Sequence, residues 1–269
     1  MRSQAEKARA FRALHQGPMA FVIPNPWDAG TARLLELVGF PALATTSAGF
    51  AFSTGKPDNA VGREAILANV SLIVRATDLP VSADLENCFS DDPREAAQTI
   101  GLAAAAGAAG ASIEDMAATR AIYALEHATE RVRAAAEAAH ALPFPFMLTA
   151  RAENYLCGRP DLRDTIRRLQ AYQEAGADVL YAPGLTRRED IAEVVRSVDR
   201  PVNVLAGSAP FTVAELSAVG VRRISVGGAL SRAALGAFLR AAREMKEKGS
   251  FTFAADAVSF KELTEMFSA

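Results

Sequence analysis

Acidic side chains and one arginine stand at the ends of successive apolar segments in the middle of the sequence. Asp84 and Glu86 follow one such segment, Glu114 closes the next, and Arg151 closes the one after it. Carboxylate oxygens are the ligands that hard divalent cations prefer, so the three acids predict a site for Mg²⁺ or, alternatively, Mn²⁺. An ordinary ion pair between Glu114 and Arg151 is the competing interpretation.

Histidine and cysteine do not accompany these acids. His15, His127 and His140 all lie in stretches with helical periodicity, so a zinc site or a histidine base is not expected. Two cysteines, Cys88 and Cys157, are too few for a disulfide framework or a four-cysteine zinc site. Because Cys88 has an acidic neighbourhood and no electropositive partner, we interpret both thiols as packing residues.

Eight short apolar segments carry these residues and run the length of the chain. They are FVIP at 21–24, PALATT at 41–46, PVSAD at 80–84, ASIED at 111–115, PFMLTAR at 145–151, ADVLYAP at 177–183, PVNVLA at 201–206 and RRISVGG at 222–228. Stretches with helical periodicity separate them, and several end in glycine, as helices tend to. Eight apolar strands that alternate with helices predict a parallel sheet closed into a single (β/α)8 TIM-type barrel.

A doubly wound open sheet is the competing fold. Its dinucleotide-binding form carries a G-x-G-x-x-G turn after the first strand, and this sequence has none there. No linker interrupts the alternation, which predicts one barrel domain over 1–269. Barrel enzymes place their chemistry at the C-terminal ends of the strands. Alternation along the third strand puts Ser82, Asp84 and, if the strand geometry continues, Glu86 on one side.

Composition excludes several classes of function. The 29 Lys plus Arg balance 31 Asp plus Glu, so the formal charge of −2 gives no general attraction to nucleic acid or to anionic lipid. No apolar run approaches the roughly 20 residues that span a bilayer, and the first 17 residues lack the apolar stretch of a signal peptide. We therefore expect a cytoplasmic protein with a small-molecule substrate and no nucleic-acid or membrane partner.

Several ordered motifs resemble the isocitrate lyase/phosphoenolpyruvate mutase superfamily. They are NPWDAGTARLLELVGFPALATTSAGFAFSTGKPD at 25–58, VSADLEN at 81–87, GASIEDM at 110–116, LTARAENYL at 148–156 and AYQEAGADVLYAPGL at 171–185. The resemblance covers nearly the whole chain. It implies a barrel enzyme that binds Mg²⁺ and a small 2-oxo or 2-hydroxy carboxylate, and that makes or breaks a bond next to the carbonyl through an enolate.

The resemblance also assigns roles to the acids and the arginine. Asp84 matches the second Asp of the Asp-Ala-Asp metal motif, Glu114 matches the Glu of the Glu-Asp pair, and Arg151 matches the substrate-binding arginine. Asp58 matches an acid that supports the water shell of the metal. An enolate needs positive charge held at its oxygen, which Mg²⁺ and Arg151 together would supply.

The substrate site implied by the resemblance begins after the second strand. Ser47 and the backbone amides of Ala48 and Gly49 match the groups that receive the carboxylate and oxygen of the substrate. The remaining residues of the predicted substrate site are Thr46, Trp27, Glu153 and Asn154. Trp27 is interpreted as an aromatic wall near the mouth of the pocket.

Two departures from the family pattern bear on the activity. Ser82 stands where the first Asp of the metal motif is expected, and we expect the longer side chain of Glu86 to reach the ion or its waters in compensation. The Lys-Lys/Arg-Cys-Gly-His lid of the lyases and the gating loop of the phosphonate mutases are both absent after the fourth strand, where the chain reads MAATRAIYALEH at 116–127. The lid is therefore predicted to be short or absent.

The predicted function is a Mg²⁺-dependent lyase or decarboxylase that acts on an oxaloacetate-like 2-oxo carboxylate. Loss of carbon dioxide from such an acid needs chelation and enolate stabilisation but no lid cysteine. Phosphonopyruvate-type P–C chemistry and a methylisocitrate-type lyase are the alternatives, and a non-catalytic carboxylate-binding barrel is a third. Gly227-Gly228 after the eighth strand is interpreted as a tight turn rather than a phosphate site, although a phosphorylated-sugar aldolase would use it.

A last apolar segment follows the barrel. Phe260, Leu263 and Phe267 share one helical face within 250–269, and this face is too apolar to be left in water. Packing on the chain's own barrel is one solution. The resemblance implies the other, a C-terminal helix exchanged between the subunits of a homodimer or homotetramer.

Overall fold

Eight parallel strands form the centre of the molecule. The computed structural model describes residues 2–207 and 211–268. The strands are β1 Phe21–Ile23, β2 Leu43–Ala44, β3 Val81–Ala83, β4 Gly110–Glu114, β5 Met147–Arg151, β6 Val179–Tyr181, β7 Val202–Leu205 and β8 Arg223–Ser225. Each of the eight apolar segments coincides with one strand, although β4 begins one residue earlier than predicted, at Gly110. Every ladder is parallel, and the order β1-β8-β7-β6-β5-β4-β3-β2 confirms the predicted (β/α)8 barrel.

β1 and β2 are the two ends of this strand order, and individual hydrogen bonds close the seam between them. Among the described residues β1 and β2 share no ladder, but the Ala44 N–H donates to the carbonyl of Pro24 at 3.1 Å. Asn25 bridges the same seam: its Nδ2 donates to the carbonyl of Thr45, and its Oδ1 accepts from the N–H groups of Val226 and Gly227. One side chain therefore joins the ends of β1, β2 and β8.

Helices connect the strands and cover the outside of the barrel. They are α1 Gln4–Leu14, α2 Ala29–Val38, α3 Ser47–Ser53, α4 Arg63–Ala76, α5 Pro93–Ala105, α6 Leu125–His140, α7 Leu162–Glu174, α8 Arg188–Arg196, α9 Val213–Ala218, α10 Ala229–Lys248 and α11 Phe260–Ser268, with a 3₁₀ helix at Thr252–Asp256. None of the helices within the described ranges is long and apolar enough to cross a membrane.

The apolar core lies between the strands and this outer layer. Small side chains dominate it, and α5 and α6 pack closely through buried alanines such as Ala103 and Ala135. A second cluster closes the N-terminal end of the barrel, where Phe11 of α1 packs on Phe21 of β1. At Gly110 the strands approach so closely that a Cβ would lie 2.6 Å from the carbonyl oxygen of Met147, so only glycine fits there.

The inside of the barrel is polar rather than filled with branched aliphatic side chains. The inward side chains include Ser82, Ser112, Thr149, Asn203, Arg223 and Ser225, all of them buried. Barrels of this type are ordinarily filled with valine, isoleucine and leucine. The polar lining leaves a cavity of about 370 Å³, which extends among the strands to the loops at their C-terminal ends.

The C-terminal helix α11 lies beside α2. The ring of Phe267 is 5.7 Å from the guanidinium of Arg33, and its edge approaches Gly30. Phe260, on the same helix, is 88% exposed. Packing on the chain's own barrel thus covers one end of the apolar face only.

Candidate active site

Arg151 lies at the centre of a carboxylate cluster at the C-terminal ends of the strands. Its Nη1 contacts Glu114 Oε1 at 2.8 Å and Asp84 Oδ1 at 3.2 Å, and its Nε donates to Glu153 Oε1 at 2.7 Å. Glu114 stands directly opposite Arg151 in the β4–β5 ladder. The ion pair between them exists, but it belongs to a larger group of charges that the spacing along the sequence had indicated.

Asp84 is also held from the β2 side of the barrel. Its Oδ2 accepts hydrogen bonds from both the N–H and the hydroxyl of Ser47, each at 2.9 Å, and its own N–H donates to Thr45 Oγ1. Ser112 on β4 donates to the other oxygen at 3.3 Å. The carboxylate is therefore fixed between the turn after β2 and the arginine.

The turn that presents Ser47 is built by two residues around it. Thr46 caps α3, with its Oγ1 accepting from the N–H of Gly49 at 3.1 Å. A Cβ at Gly49 would lie 2.6 Å from the Thr46 side chain and 3.2 Å from Trp27 Cβ, so this position requires glycine. The Gly49 amide is thus used by the cap, while the Ala48 position lines the cavity beside Ser47.

Glu153 is positioned by a buried network behind the strands. Its N–H donates to Asp115 Oδ1 at 2.7 Å. The other oxygen of Asp115 accepts from Tyr172 Oη at 2.5 Å and from Arg168 Nη1 at 3.1 Å. Asp115 therefore has a supporting role, and its negative charge is matched by Arg168 rather than by Arg151.

Burial sets the electrostatics of the cluster. Desolvation raises the pKa of Glu114 well above its ordinary value, although the Arg151 charge opposes this, and it raises the pKa of Glu153 in the same way. Burial disfavours the charge on Arg151 too, but the neighbouring carboxylates outweigh it and raise the pKa of the guanidinium. Burial and the charge of Asp84 raise the pKa of Asp58. The site holds more carboxylates than its arginine can neutralise.

Most of the predicted site residues line one cavity. Those that line it are Thr46, Ser47, Ala48, Asp58, Asp84, Glu114, Arg151 and Glu153. They come from β3, β4 and β5 and from the segments that follow β2 and β5. Chain order alone could not place Asp58 there, since it lies in an irregular segment between α3 and α4.

Glu86 does not follow the expected alternation. β3 ends at Ala83, and Glu86 takes a left-handed backbone conformation, with φ of 53°, that turns the chain away from the strand direction. Its side chain lines an adjoining cavity together with Asn87 and Asp91. There, burial and the charge of Asp84 raise the pKa of Glu86 to about 8.

Trp27, Gly49 and Asn154 are near the site but do not line its cavity. The backbone of Trp27 accepts a hydrogen bond from Asn69, and its Cβ lies behind Gly49. Asn154 is buried and donates to the carbonyl of Arg159. Asn154 therefore shapes the loop after β5 from within.

The acids fit a hydrated magnesium ion. Among the described residues there is no group of three or more His, Cys, Asp or Glu side chains arranged to hold a metal. Asp84 and Glu114 nevertheless reach the same nitrogen of Arg151, and both are oxygen donors. Mg²⁺ is commonly bound by one or two carboxylates while it keeps several waters. The carboxylates grouped around Arg151 supply oxygen donors for such an ion, while Arg120, Arg223 and Arg232 line other parts of the same cavity.

Several further residues line the cavity that the sequence did not predict as part of the site. They are Ser112, Arg120, Tyr181, Asn203, Arg223, Ser225 and Arg232. Period-two alternation continued along β6, β7 and β8 would have pointed Tyr181, Asn203 and Ser225 into the barrel. Arg223 was not identified because it follows Arg222, and two adjacent arginines in a sequence usually lie on the solvated surface.

The segment after β4 is a short hairpin. Met116 and Ile122 form an antiparallel bridge, and Arg120 turns the chain with φ of 65°. This agrees with the expected short lid. Cys157 Sγ lies 3.2 Å from Met116 Sδ at the base of the hairpin. Cys88 is fully buried, and burial raises the pKa of its thiol to about 12, so it packs in the core.

The backbone of Gly227 supports the interpretation of Gly227-Gly228 as a tight turn. It has φ of 52°, and its N–H donates to Asn25 Oδ1 at 2.8 Å. The N–H of Val226 is occupied by the same oxygen at 2.9 Å. These amides hold the barrel closed and are not free for a phosphate.

Known proteins share this architecture and much of this sequence. A candidate lyase/mutase of Burkholderia cenocepacia J2315 is 60% identical, with a TM-score of 0.97 over 99% of this chain and 97% of that chain. The 2-methylisocitrate lyase of Bacillus subtilis (strain 168) is 28% identical over 92% of this chain and 84% of its own length. Oxaloacetate acetylhydrolase in complex with its product oxalate is 25% identical, with a TM-score of 0.89 over 99% and 95% of the two chains.

The family model for phosphoenolpyruvate phosphomutase matches residues 11–246, which include every strand of the barrel. The relatives and structural neighbours are lyases, mutases and hydrolases that act on small carboxylates. The chain belongs to the phosphoenolpyruvate phosphomutase family and is an enzyme of the isocitrate lyase/phosphoenolpyruvate mutase superfamily.

Proposed function

We propose that this enzyme is a Mg²⁺-dependent lyase or decarboxylase that cleaves a small 2-oxo carboxylate of the oxaloacetate type through an enolate. The observation that carries the proposal is the arrangement around Asp84, whose two carboxylate oxygens contact Ser47 on one side and Arg151 on the other. One short cavity thus contains donors for a carboxylate, a fixed cation for an enolate oxygen and carboxylates for a hard metal ion.

The substrate's carboxylate binds at the turn after β2. The N–H and hydroxyl of Ser47 and the amide of Ala48 receive it, whereas the Gly49 amide is already used by Thr46. Arg151 directs its guanidinium at the 2-oxo oxygen. Because Arg151 is nearly enclosed, its charge acts on that oxygen with little screening by water.

Bond cleavage then requires no thiol. In oxaloacetate the electron pair of the C3–C4 bond moves into a C2–C3 double bond, the carbonyl pair moves onto the C2 oxygen, and carbon dioxide leaves. Arg151 stabilises the negative oxygen. When bound by Asp84 and Glu114, with the water shell supported by Asp58, Mg²⁺ would supply further positive charge to the same oxygens.

Two comparisons support this choice of substrate class. The chain covers nearly all of oxaloacetate acetylhydrolase, which forms oxalate, and most of a 2-methylisocitrate lyase. The hairpin at Met116–Ile122 is too short to carry a lyase-type lid, so we rank oxaloacetate-like acids first. Phosphonopyruvate and 2-methylisocitrate follow as alternatives, and binding of a carboxylate without turnover is the remaining one.

The test is turnover of oxaloacetate, phosphonopyruvate and 2-methylisocitrate, each with Mg²⁺ and after chelation. Free Mg²⁺ itself decarboxylates oxaloacetate, so Arg151→Met at the same metal concentration gives the background rate. Pyruvate above that background supports the decarboxylase, whereas oxalate plus acetate would show hydrolysis of the C2–C3 bond with water as the second reactant. Calorimetric binding of oxalate with no turnover of any of the three acids would contradict the proposal and leave the binding-only alternative.

A further inference from the structure

A chain of hydrogen bonds runs across the floor of the cavity and begins at Arg223. This guanidinium is 5% exposed; its Nε donates to Asn203 Oδ1 at 3.0 Å and its Nη2 donates to Thr149 Oγ1 at 2.9 Å. Its Nη1 has no hydrogen-bond partner, and no carboxylate among the described residues lies within ion-pair distance. Arg223 is therefore a buried cation whose charge is not neutralised locally.

The direction of every bond in this chain is fixed by that cation. Nε of Arg223 can only donate, so the amide oxygen of Asn203 must face it. The Asn203 Nδ2 consequently donates to Ser225 Oγ at 3.0 Å. Ser225 in turn acts on Tyr181, since its side chain lowers the pKa of that phenol.

Tyr181 is the last residue of this series and faces the cavity. The ring lines the cavity and is 6% exposed, and the Arg151 guanidinium lies 5.0 Å from its centre. The other charged groups that act on the phenol are Glu153, Asp84 and Arg223. Burial raises the pKa of Tyr181 to about 12, and both Arg151 and Ser225 oppose that rise. The phenol is thus protonated at neutral pH. Arg151 and Ser225 reduce the energetic cost of losing that proton.

We propose that Tyr181 is the catalytic acid that protonates the enolate carbon, and that Ser225, Asn203 and Arg223 are its positioning residues. The proposal rests on the proposed function, because it needs an enolate in the cavity. The enolate oxygen pair re-forms the C2 carbonyl, the C2–C3 pair takes the proton from Tyr181 Oη, and a C3–H bond results. The phenolate that remains takes a proton from cavity water, which completes the cycle without a further reactant.

Other cavity groups are less suited to this step. Glu114, Glu153 and Asp84 are all engaged with Arg151, and the hydroxyl of Ser47 is donated to Asp84. Asp58 is the competing acid, since its pKa is also raised and it lines the same cavity. Because Asp58 is also assigned to the water shell of Mg²⁺, the control for Tyr181→Phe is Tyr155→Phe, at a tyrosine that does not line the cavity.

The first test needs no substrate. Protein labelled with ¹³Cζ-tyrosine is observed by NMR at neutral pH, and loss of one signal in Tyr181→Phe identifies the resonance. Ser225→Ala and Arg223→Met, each checked for folding by circular dichroism, are expected to shift the ¹³Cζ resonance of Tyr181, because this shift reports the surroundings of the phenol oxygen. An unchanged resonance in both variants would overturn the hydrogen-bond chain.

The second test follows the proton itself. Exchange of the C3 protons of pyruvate in D₂O, followed by NMR with Mg²⁺ present, is expected to fall at least 100-fold in Tyr181→Phe and to persist in Tyr155→Phe. Exchange at the wild-type rate in Tyr181→Phe would overturn the proposal. Wild-type protein that neither exchanges pyruvate nor turns over oxaloacetate would contradict the proposed function, while the Tyr181 resonance would still report on the hydrogen-bond chain.

Discussion

Ser47 donates both its backbone N–H and its hydroxyl to Oδ2 of Asp84, each at 2.9 Å. These are the donors that the proposed function assigns to the carboxylate of the substrate. A substrate that uses them must therefore replace Asp84 at this turn, so substrate binding and the position of the acid are coupled.

Removal of the Ser47 hydroxyl should weaken substrate binding more than it slows the reaction. A hydrogen bond to a charged group contributes about 1.5–3 kcal/mol, so Ser47→Ala should raise KM by about tenfold or more. Steady-state kinetics on the substrate identified by the turnover assays measures this. Ser53→Ala on the exposed end of α3 is the control, and a KM unchanged in Ser47→Ala would remove this turn from the substrate site.

Asp84→Ala should abolish Mg²⁺-dependent activity while the barrel stays folded. The side chain contacts cavity groups rather than the apolar core, so its loss leaves the packing intact. Magnesium titration by calorimetry, together with turnover and thermal unfolding, separates the two effects. Glu64, whose side chain is 84% exposed, provides the control variant Glu64→Ala. Wild-type metal binding in Asp84→Ala would exclude this acid as a ligand.

Arg151→Lys should lose about tenfold or more in rate although the charge is kept. The guanidinium contacts Glu114 and Glu153 through different nitrogens, and an ammonium group cannot reproduce that geometry. The measurement is kcat on the identified substrate. Arg167→Lys, at a 66% exposed side chain on α7, controls for the substitution itself. Equal kcat values for wild type and Arg151→Lys would show that Arg151 is structural.

The strand ends were predictable because apolar segments and acids are both visible in the sequence. The positions of Asp84, Glu114 and Arg151 follow from that pattern alone. The direction of the Glu86 side chain does not follow from it, because the apolar periodicity cannot show that a residue just beyond a strand has a left-handed backbone conformation. Arg223 was equally hidden, because only three-dimensional packing shows that its charge is enclosed by the barrel.

His15 should make the protein sensitive to mild acid. Its Nδ1 donates to the carbonyl of Phe11, and burial, reinforced by the charge of Arg223, lowers its pKa from 6.5 to about 3. The unfolded chain takes up a proton below about pH 6.5 while the folded chain does not, so stability falls as the pH falls towards 3. This contributes about 2 kcal/mol of destabilisation between pH 7 and pH 5.

The measurement is urea unfolding at pH 7 and pH 5. His15→Gln keeps a donor but does not titrate, so its free energy of unfolding should change less over this interval than that of wild type. His140→Gln, at a half-exposed histidine, should behave as wild type does. Identical pH dependence in wild type and His15→Gln would contradict the assignment.

The segment after Gly249 should dock on a neighbouring subunit. Phe251 and Phe260 are 66% and 88% exposed, and Phe238 on α10, which lines a groove together with Phe253, is 68% exposed. We predict a homodimer or homotetramer that residues from about 250 onward help to hold together. Truncation after Gly249 should give monomers or aggregates in sedimentation velocity. An unchanged oligomer after truncation would instead favour docking on the chain's own α2, where Phe267 lies in this structure.

Asn25 has a consequence for the order in which the barrel is completed. It lies two residues after the first strand, yet its Oδ1 accepts hydrogen bonds from residues 201 and 202 positions further along the chain. During synthesis the edge of β1 that pairs with β8 therefore stays unpaired until nearly the whole barrel has left the ribosome. Closure is a late event in folding, and the rim of the active site, which these bonds fix, is among the last parts of the molecule to form.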